Sequence, residues 1–148
     1  MSERYAYILV NAKKWWNRRL SQNRAGKTTH AFVRRGTVGP KATRHVLFYV
    51  KQPLREIRGT GDFIERITGD VDELWNDHSH ETVFESYEEY LMFLQGRTKT
   101  TFIRLKNVRE LSAFVPLETI SGILNVNRMA RGGRYVNEET FEKLVGSL

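Results

Sequence analysis

The sequence predicts a single mixed α+β domain, a small barrel rather than a doubly wound sheet, and three observations carry this. The chain has 148 residues, enough for one domain to bury a core without disulfides or metals. Hydrophobic residues make up 40% of it, which excludes global disorder. Short β-rich apolar runs are interrupted by short amphipathic stretches along the whole length, as in a domain with non-local strands. One domain over residues 1–148 is expected, since no repeat, low-complexity tract or linker breaks the chain.

Tyr5 to Val10 is a short apolar run and reads as a buried first strand. Asn11 is placed to cap a short helix through about Leu20. On that helix only one tryptophan can readily face the core; Trp16 is expected to be buried and Trp15 to lie partly exposed among cations. Residues 21–29 are polar and read as a loop, followed by a strand from His30 to Arg35 and a turn over residues 36–40. His45 to Val50 is an almost continuous apolar run, hence a core strand, and Pro53 ends it. Residues 54–58 and 62–67 make a further strand bent at Gly59 and Gly61. Gly69-Asp70 opens a small helix from Val71 to Asp77, with Leu74 and Trp75 inward. Ser86 followed by Glu89 matches a capping box for a helix from Tyr87 to Gln95. Thr100 to Lys106 alternates as a strand with Phe102 or Ile103 facing the core, and Pro116-Leu117 starts a helical turn through Leu124. Gly132 to Val136 returns as a short strand or turn, and Asn137 caps a last helix whose apolar side is Phe141, Leu144 and Val145.

The charge is unevenly distributed. Residues 1–58 carry a net +12, residues 59–98 a net −8, and residues 99–148 a net +3, giving +7 overall. Basic clustering of this kind favours a polyanion by counterion release, with RNA the expected partner and DNA the other candidate. The absence of cysteine excludes disulfides, thiolate metal sites and cysteine nucleophiles, and fits a reducing compartment. No run approaches 18 apolar residues, and the apolar run near the start is too short for a signal peptide, so a cytoplasmic protein without a membrane partner is expected.

The order YILV, KKWWNRRL, GKTTHAFVRR and VLFYVKQPLREIRGTGDFIERITGDVDELW resembles the PUA-like group of small β-barrels, with its PUA, ASCH and EVE branches. Within the group it is similar to an archaeal family of predicted RNA-binding proteins; the run FYVKQPLREIRGTGDFIERITGD, then ELW, SYEEY and RGGRYV, carries that closer likeness. The resemblance implies a mixed open barrel with short helices against its ends and a cleft for a nucleobase or RNA, with no assigned reaction.

Four clusters bear on chemistry. Lys13, Lys14, Trp15, Arg18, Arg19, Arg24, Lys27, Arg34 and Arg35 offer cations for phosphates and an indole for stacking on a base. Arg131 and Arg134, around Gly132-Gly133, extend that surface if the late segment folds back beside the first helix. Gly26-Lys27-Thr28-Thr29-His30 resembles the ASCH signature GxKxxExR, with His30 where the glutamate usually stands. Because some ASCH relatives are amidohydrolases of acylated nucleosides, the resemblance implies an alternative in which Lys27 and Thr29 act with Glu65 as base. An EVE-like reader of a modified base, without turnover, is a third reading. His78-Ser79-His80 with Asp77 and Glu81 lacks the spacing of a metal site and reads as a solvated loop; no metal or other cofactor is expected. His30 and His45 are expected to be hydrogen-bonded structural histidines, and the acidic block 70–89 a solvated face.

Overall fold

The computed structural model describes residues 3–37 and 39–146; Val38 of the expected turn and the two residues at each end lie outside them. Strands β1 (Ala6–Asn11), β2 (Thr29–Arg34), β3 (His45–Val50), β4 (Glu56–Asp70), β5 (Lys99–Pro116) and β6 (Arg134–Val136) form one mixed sheet in the order β2-β5-β4-β3-β1-β6. Five α-helices are interspersed: α1 (Lys13–Arg24), α2 (Val71–His78), α3 (Tyr87–Leu94), α4 (Leu117–Leu124) and α5 (Glu138–Val145). The pair β1–β3 is parallel and every other pair is antiparallel.

The sheet curls without closing. Tyr7 and Leu9 of β1, Phe32 of β2, Val46 and Phe48 of β3 and Ile103 and Leu105 of β5 share one core, although β1 and β2 are four places apart in strand order. Trp16 and Leu20 of α1 plug this interior, with the Trp16 ring 4.9 Å from that of Phe48. The opposite faces are covered by α4 and α5 over β1 and β3, and by α2 and α3 over β2 and β5. A strand covered on both faces reads as a continuous apolar run, which is why Val46 to Val50 are all buried and why both Phe102 and Ile103 are.

Curling needs long, irregular strands. The pairing of β4 with β5 shifts register at three places, each shift marking one or more extra residues on one strand that bend the ribbon. Gly59 serves close approach here: a Cβ on it would lie 2.7 Å from the Arg109 carbonyl oxygen and run into the Trp16 indole.

Local signals place several elements as the sequence predicts. Ser86 Oγ accepts from the Glu89 N–H at 3.1 Å while the Glu89 carboxylate accepts from Glu85 N–H at 2.9 Å. Asn137 Oδ1 accepts from Thr140 N–H at 2.8 Å, and Asp70 caps α2. Three expectations are corrected. Asn11 is not a cap: it is the last residue of β1, buried, with its amide donating to the Tyr49 carbonyl at 2.8 Å. α1 continues through Arg24 rather than ending near Leu20, because Asn23 reaches across to donate to the Val108 carbonyl at 2.9 Å. The acidic block is not simply solvated: Glu81 is buried and Glu89 pairs with Arg18 at 2.5 Å.

Candidate nucleic-acid interface

The parallel β1–β3 pair brings two chain exits to the same end of the sheet. Asn11 lies opposite Val50, and the Lys51 N–H donates to the Asn11 carbonyl at 3.1 Å. Lys13 and Lys14, opening α1, therefore emerge at the end that carries Lys51 and Gln52. The late segment reaches this end too: β6 runs antiparallel to β1, so the residues preceding it pass alongside Leu9 to Asn11. Gly133 (φ 79°) permits that approach, because a Cβ there would overlap the Ile8 carbonyl, and the Tyr7 hydroxyl donates to the Gly132 carbonyl.

The result is a cleft of about 850 Å³ lined by Lys51, Gln52, Arg128, Met129, Ala130 and Arg131. Among the described residues that line it there are three cations and no carboxylate. Among the described residues, none of Lys13, Lys14, Lys51, Arg128 and Arg131 makes an ion pair. The first turn of α1 has no acidic residue and no side-chain cap, so its positive dipole end adds to the same field.

The other predicted contacts are placed differently. Arg18 is held by Glu89 and, at 3.2 Å, by Glu85, so the +12 and −8 stretches meet along one side of α1 instead of facing opposite ways. Trp15 packs edge-on against Phe84 and Phe93, with the Lys14 ammonium 4.6 Å and the Arg18 guanidinium 5.2 Å from its ring. Arg19 is 2% exposed, donates once to the Ala31 carbonyl at 3.2 Å and lies 5.9 Å from the Phe32 and Phe48 rings. It faces the barrel interior and is not available to a phosphate. Arg34 is half-buried near Tyr7, and burial lowers its pKa. Arg35 donates to the Phe93 carbonyl at 2.7 Å, and Arg24 pairs with Glu110 at 3.4 Å. Arg134 is exposed on β6, opposite Ile8.

The residues of the hydrolase alternative lie around a polar cluster at the start of β2. Lys27 Nζ donates to Gln22 Oε1 and to the Thr82 carbonyl, both at 2.8 Å. Burial and then the field of Arg19 pull its pKa down to about 8, against the opposing pull of Glu81. His30 Nε2 pairs with Asn23 Oδ1 at 3.0 Å; burial, Arg19 and Lys27 together push its pKa down to about 3, so it is neutral. Thr29 sits on β2 opposite Lys106. Glu65 accepts from Arg104 Nη1 at 2.6 Å, which commits the proposed base to a cation. Glu81, which the sequence reads as part of a solvated loop, is the residue whose role sequence reasoning missed. It is 5% exposed and takes Arg104 in a two-pronged pair, with both bonds at 2.8 Å. Those hydrogen bonds hold its carboxyl below the ordinary value of 4.5. The pair cannot be read from sequence spacing, because the partners are 23 residues apart and meet only through the fold.

His78 and His80 both turn toward Glu81, at 3.5 and 3.9 Å, but its oxygens are already used by Arg104. Among the described residues no group of three or more His, Asp or Glu side chains is arranged to hold a metal ion. Among them, too, no helix is long and apolar enough to cross a membrane.

Comparison with solved structures identifies the fold. An ASCH protein from Zymomonas mobilis superposes with a TM-score of 0.77 at 20% identity, covering 96% of this chain and 94% of that one. A serine-to-alanine variant of that protein gives the same TM-score at 19% identity, covering 98% and 97% of the two chains. A tyrosine-to-phenylalanine variant gives 0.77 at 20% identity over 96% and 97%. No protein-family model and no curated protein matches the sequence. At this identity the likeness shows an ASCH-type fold and leaves activity open.

Proposed function

We propose that this chain is a PUA-like nucleic-acid-binding module, with RNA as its principal ligand, that holds the phosphate backbone in the cleft between Lys51 and Arg131. One observation carries the reading: among the described residues, the cleft of about 850 Å³ is walled by three cations with no carboxylate, and Lys13 and Lys14 open at the same end of the sheet. The volume suits a nucleotide-sized group. Arginine forks fit phosphate oxygens, and Gln52 adds a neutral polar group beside them. The contact set therefore shifts from Arg18 and Arg19 to Lys13, Lys14, Lys51, Arg128 and Arg131, with Arg134 at the margin. Lys27 and Arg35 are engaged elsewhere, and Arg34 is half-buried near Tyr7.

The test is fluorescence anisotropy with a labelled single-stranded RNA, a duplex RNA and a DNA of the same sequence. Lys51→Ala with Arg131→Ala lowers RNA affinity at least tenfold, whereas Arg35→Ala changes it less than twofold. Equal loss from both would move the interface off the cleft.

A second reading, an ASCH-like amidohydrolase of a modified nucleoside, is favoured by the half-buried Lys27, whose pKa near 8 leaves a fraction of its amine neutral and basic at physiological pH. Against it, Lys27 Nζ already donates to two acceptors and Glu65 is bound to Arg104. Incubation with acylated nucleosides decides the matter: turnover abolished by Lys27→Met supports an enzyme. Binding of a modified base without turnover supports an EVE-like reader.

A further inference from the structure

The opposite end of the sheet holds a second, smaller cavity of about 270 Å³, walled by Tyr5, His45, Asp62, Arg109, Phe141 and Glu142. His45 begins β3 and Lys51 follows its end, so roughly 20 Å of strand separates this opening from the basic cleft. The two differ in charge. Among the described residues that line it, Asp62 and Glu142 face a single arginine, so these walls carry no surplus of positive charge for a phosphate.

His45 and Asp62 are held in a fixed pattern. Asp62 Oδ1 accepts from His45 Nδ1–H at 2.9 Å, and Asp62 Oδ2 accepts from Asn107 Nδ2 at 2.8 Å. A carboxylate can only accept, so the His45 tautomer that pairs with Asp62 carries its hydrogen on Nδ1 and offers Nε2 as an acceptor. Asn107 sits in a left-handed conformation (φ 53°) within β5, at an irregularity that precedes Arg109. Arg109 and Glu142 are both exposed, and among the described residues neither forms an ion pair, with the other or elsewhere. Phe141 stacks on His45 at 5.2 Å and 22° and meets Tyr5 edge-on at 5.2 Å, which gives the cavity flat aromatic walls.

We propose that this cavity binds a guanine base. Guanine carries three hydrogens on N1 and the exocyclic amine, and two adjacent acceptors at O6 and N7. The cavity supplies the complement: the two Glu142 oxygens and His45 Nε2 accept, and the Arg109 fork donates to O6 and N7. Adenine places an acceptor where guanine has N1–H, and so sets a lone pair against the Glu142 carboxylate. Cytosine and uracil have fewer donors and leave acceptors unpaired, and aromatic walls suit a planar bicycle. The inference rests on the nucleic-acid reading only for the source of the base, a guanosine in an RNA whose backbone continues toward the basic cleft.

The experiment is a nuclear magnetic resonance titration of the full chain with GMP, IMP, AMP and CMP into the millimolar range. GMP moves the amides of Arg109, Phe141, Glu142 and Gly146, and IMP, which lacks the exocyclic amine, binds at least fivefold more weakly. Arg109→Ala and Glu142→Gln each weaken GMP about tenfold, with melting temperatures recorded to show that both variants are folded. Arg35→Ala, whose guanidinium donates to the Phe93 carbonyl, leaves GMP affinity unchanged. Equal binding of AMP, shifts confined to Lys51, Gln52, Ala130 and Arg131, or no shift at all overturns the proposal. RNA binding that persists while GMP fails removes only the guanine site; GMP binding that persists while RNA binding is lost removes only the basic cleft.

Discussion

Replacing Glu81 with glutamine removes the one buried carboxylate of the polar cluster while keeping its shape. In the native protein that carboxylate, 5% exposed, faces the Arg104 guanidinium through two 2.8 Å bonds. Its field also offsets the repulsion that Arg19 exerts on Lys27. Removing one partner of a buried pair costs about 3–5 kcal/mol, because the other charge stays behind uncompensated. Glu65 still binds Arg104 at 2.6 Å, but its side chain is 49% exposed and water screens it. The low end of the range, about 3 kcal/mol, is therefore expected for Glu81→Gln. Glu65→Gln should cost about 1 kcal/mol or less, as an exposed pair does. At this chain length the first loss lowers the melting temperature by roughly 6–12 °C. Urea unfolding followed by circular dichroism measures both changes. The acid side gives an independent check: because Glu81 titrates below its ordinary value in the folded state, its stabilisation is present above 4.5 and is lost as the pH falls through the folded value. Glu81→Gln should remove that part of the acid dependence. A loss under about 1 kcal/mol, or an unchanged acid limb, would refute the assignment of Glu81 as the countercharge of the cluster.

Lys27 gives the mirror-image effect at high pH. Its folded pKa, near 8, lies below the ordinary 10.5, so the unfolded chain binds more protons between these values and stability rises across that window. Comparing native protein with Lys27→Met by urea unfolding from pH 7 to 11 should show the rise only in the native protein. Arg18→Ala breaks the Glu85 and Glu89 pairs and should cost about 1 kcal/mol while leaving RNA affinity within twofold, because that guanidinium faces acids and not the cleft. Gly59→Ala forces a Cβ against the Trp16 indole and the Arg109 carbonyl, and calorimetry should show a loss of about 2–3 kcal/mol.

How far these features are legible in the sequence depends on whether their causes are local. β3 is readable to the residue, because a strand buried on both faces leaves an unbroken apolar run from Val46 to Val50. The caps at Ser86 and Asn137 are readable because a side chain and its N–H target lie three residues apart. The second half of β5, from Asn107 onward, is not: its residues are largely exposed, and what holds them is pairing to β4 across two register shifts. The last turn of α1 is hidden for the same reason, since Ser21 to Arg24 offer no apolar face and are fixed by contacts to distant chain.

The candidate sites follow the same rule. Clustered cations in the first helix are visible at once, but which of them remain free depends on where the acidic block packs, and it packs against Arg18. Arg19 is drawn inside by the helical phase it shares with Trp16 and Leu20, all three being the buried residues of α1. Lys51 and Arg131 meet only because β3 lies parallel to β1 and β6 returns antiparallel on its other side. The Gly132-Gly133 pair was the one local hint, since a glycine with φ 79° marks close approach of two backbones.

The central claim, that the cleft at the exits of β1 and β3 holds a nucleic-acid backbone, is tested most directly by the salt dependence of RNA affinity. Five cations engaging single-strand phosphates give a log–log slope of about −3.5, and the triple replacement Lys51→Ala, Arg128→Ala, Arg131→Ala should reduce it to about −1.4. A flat slope in the native protein, or the same slope in the triple variant, would contradict the account.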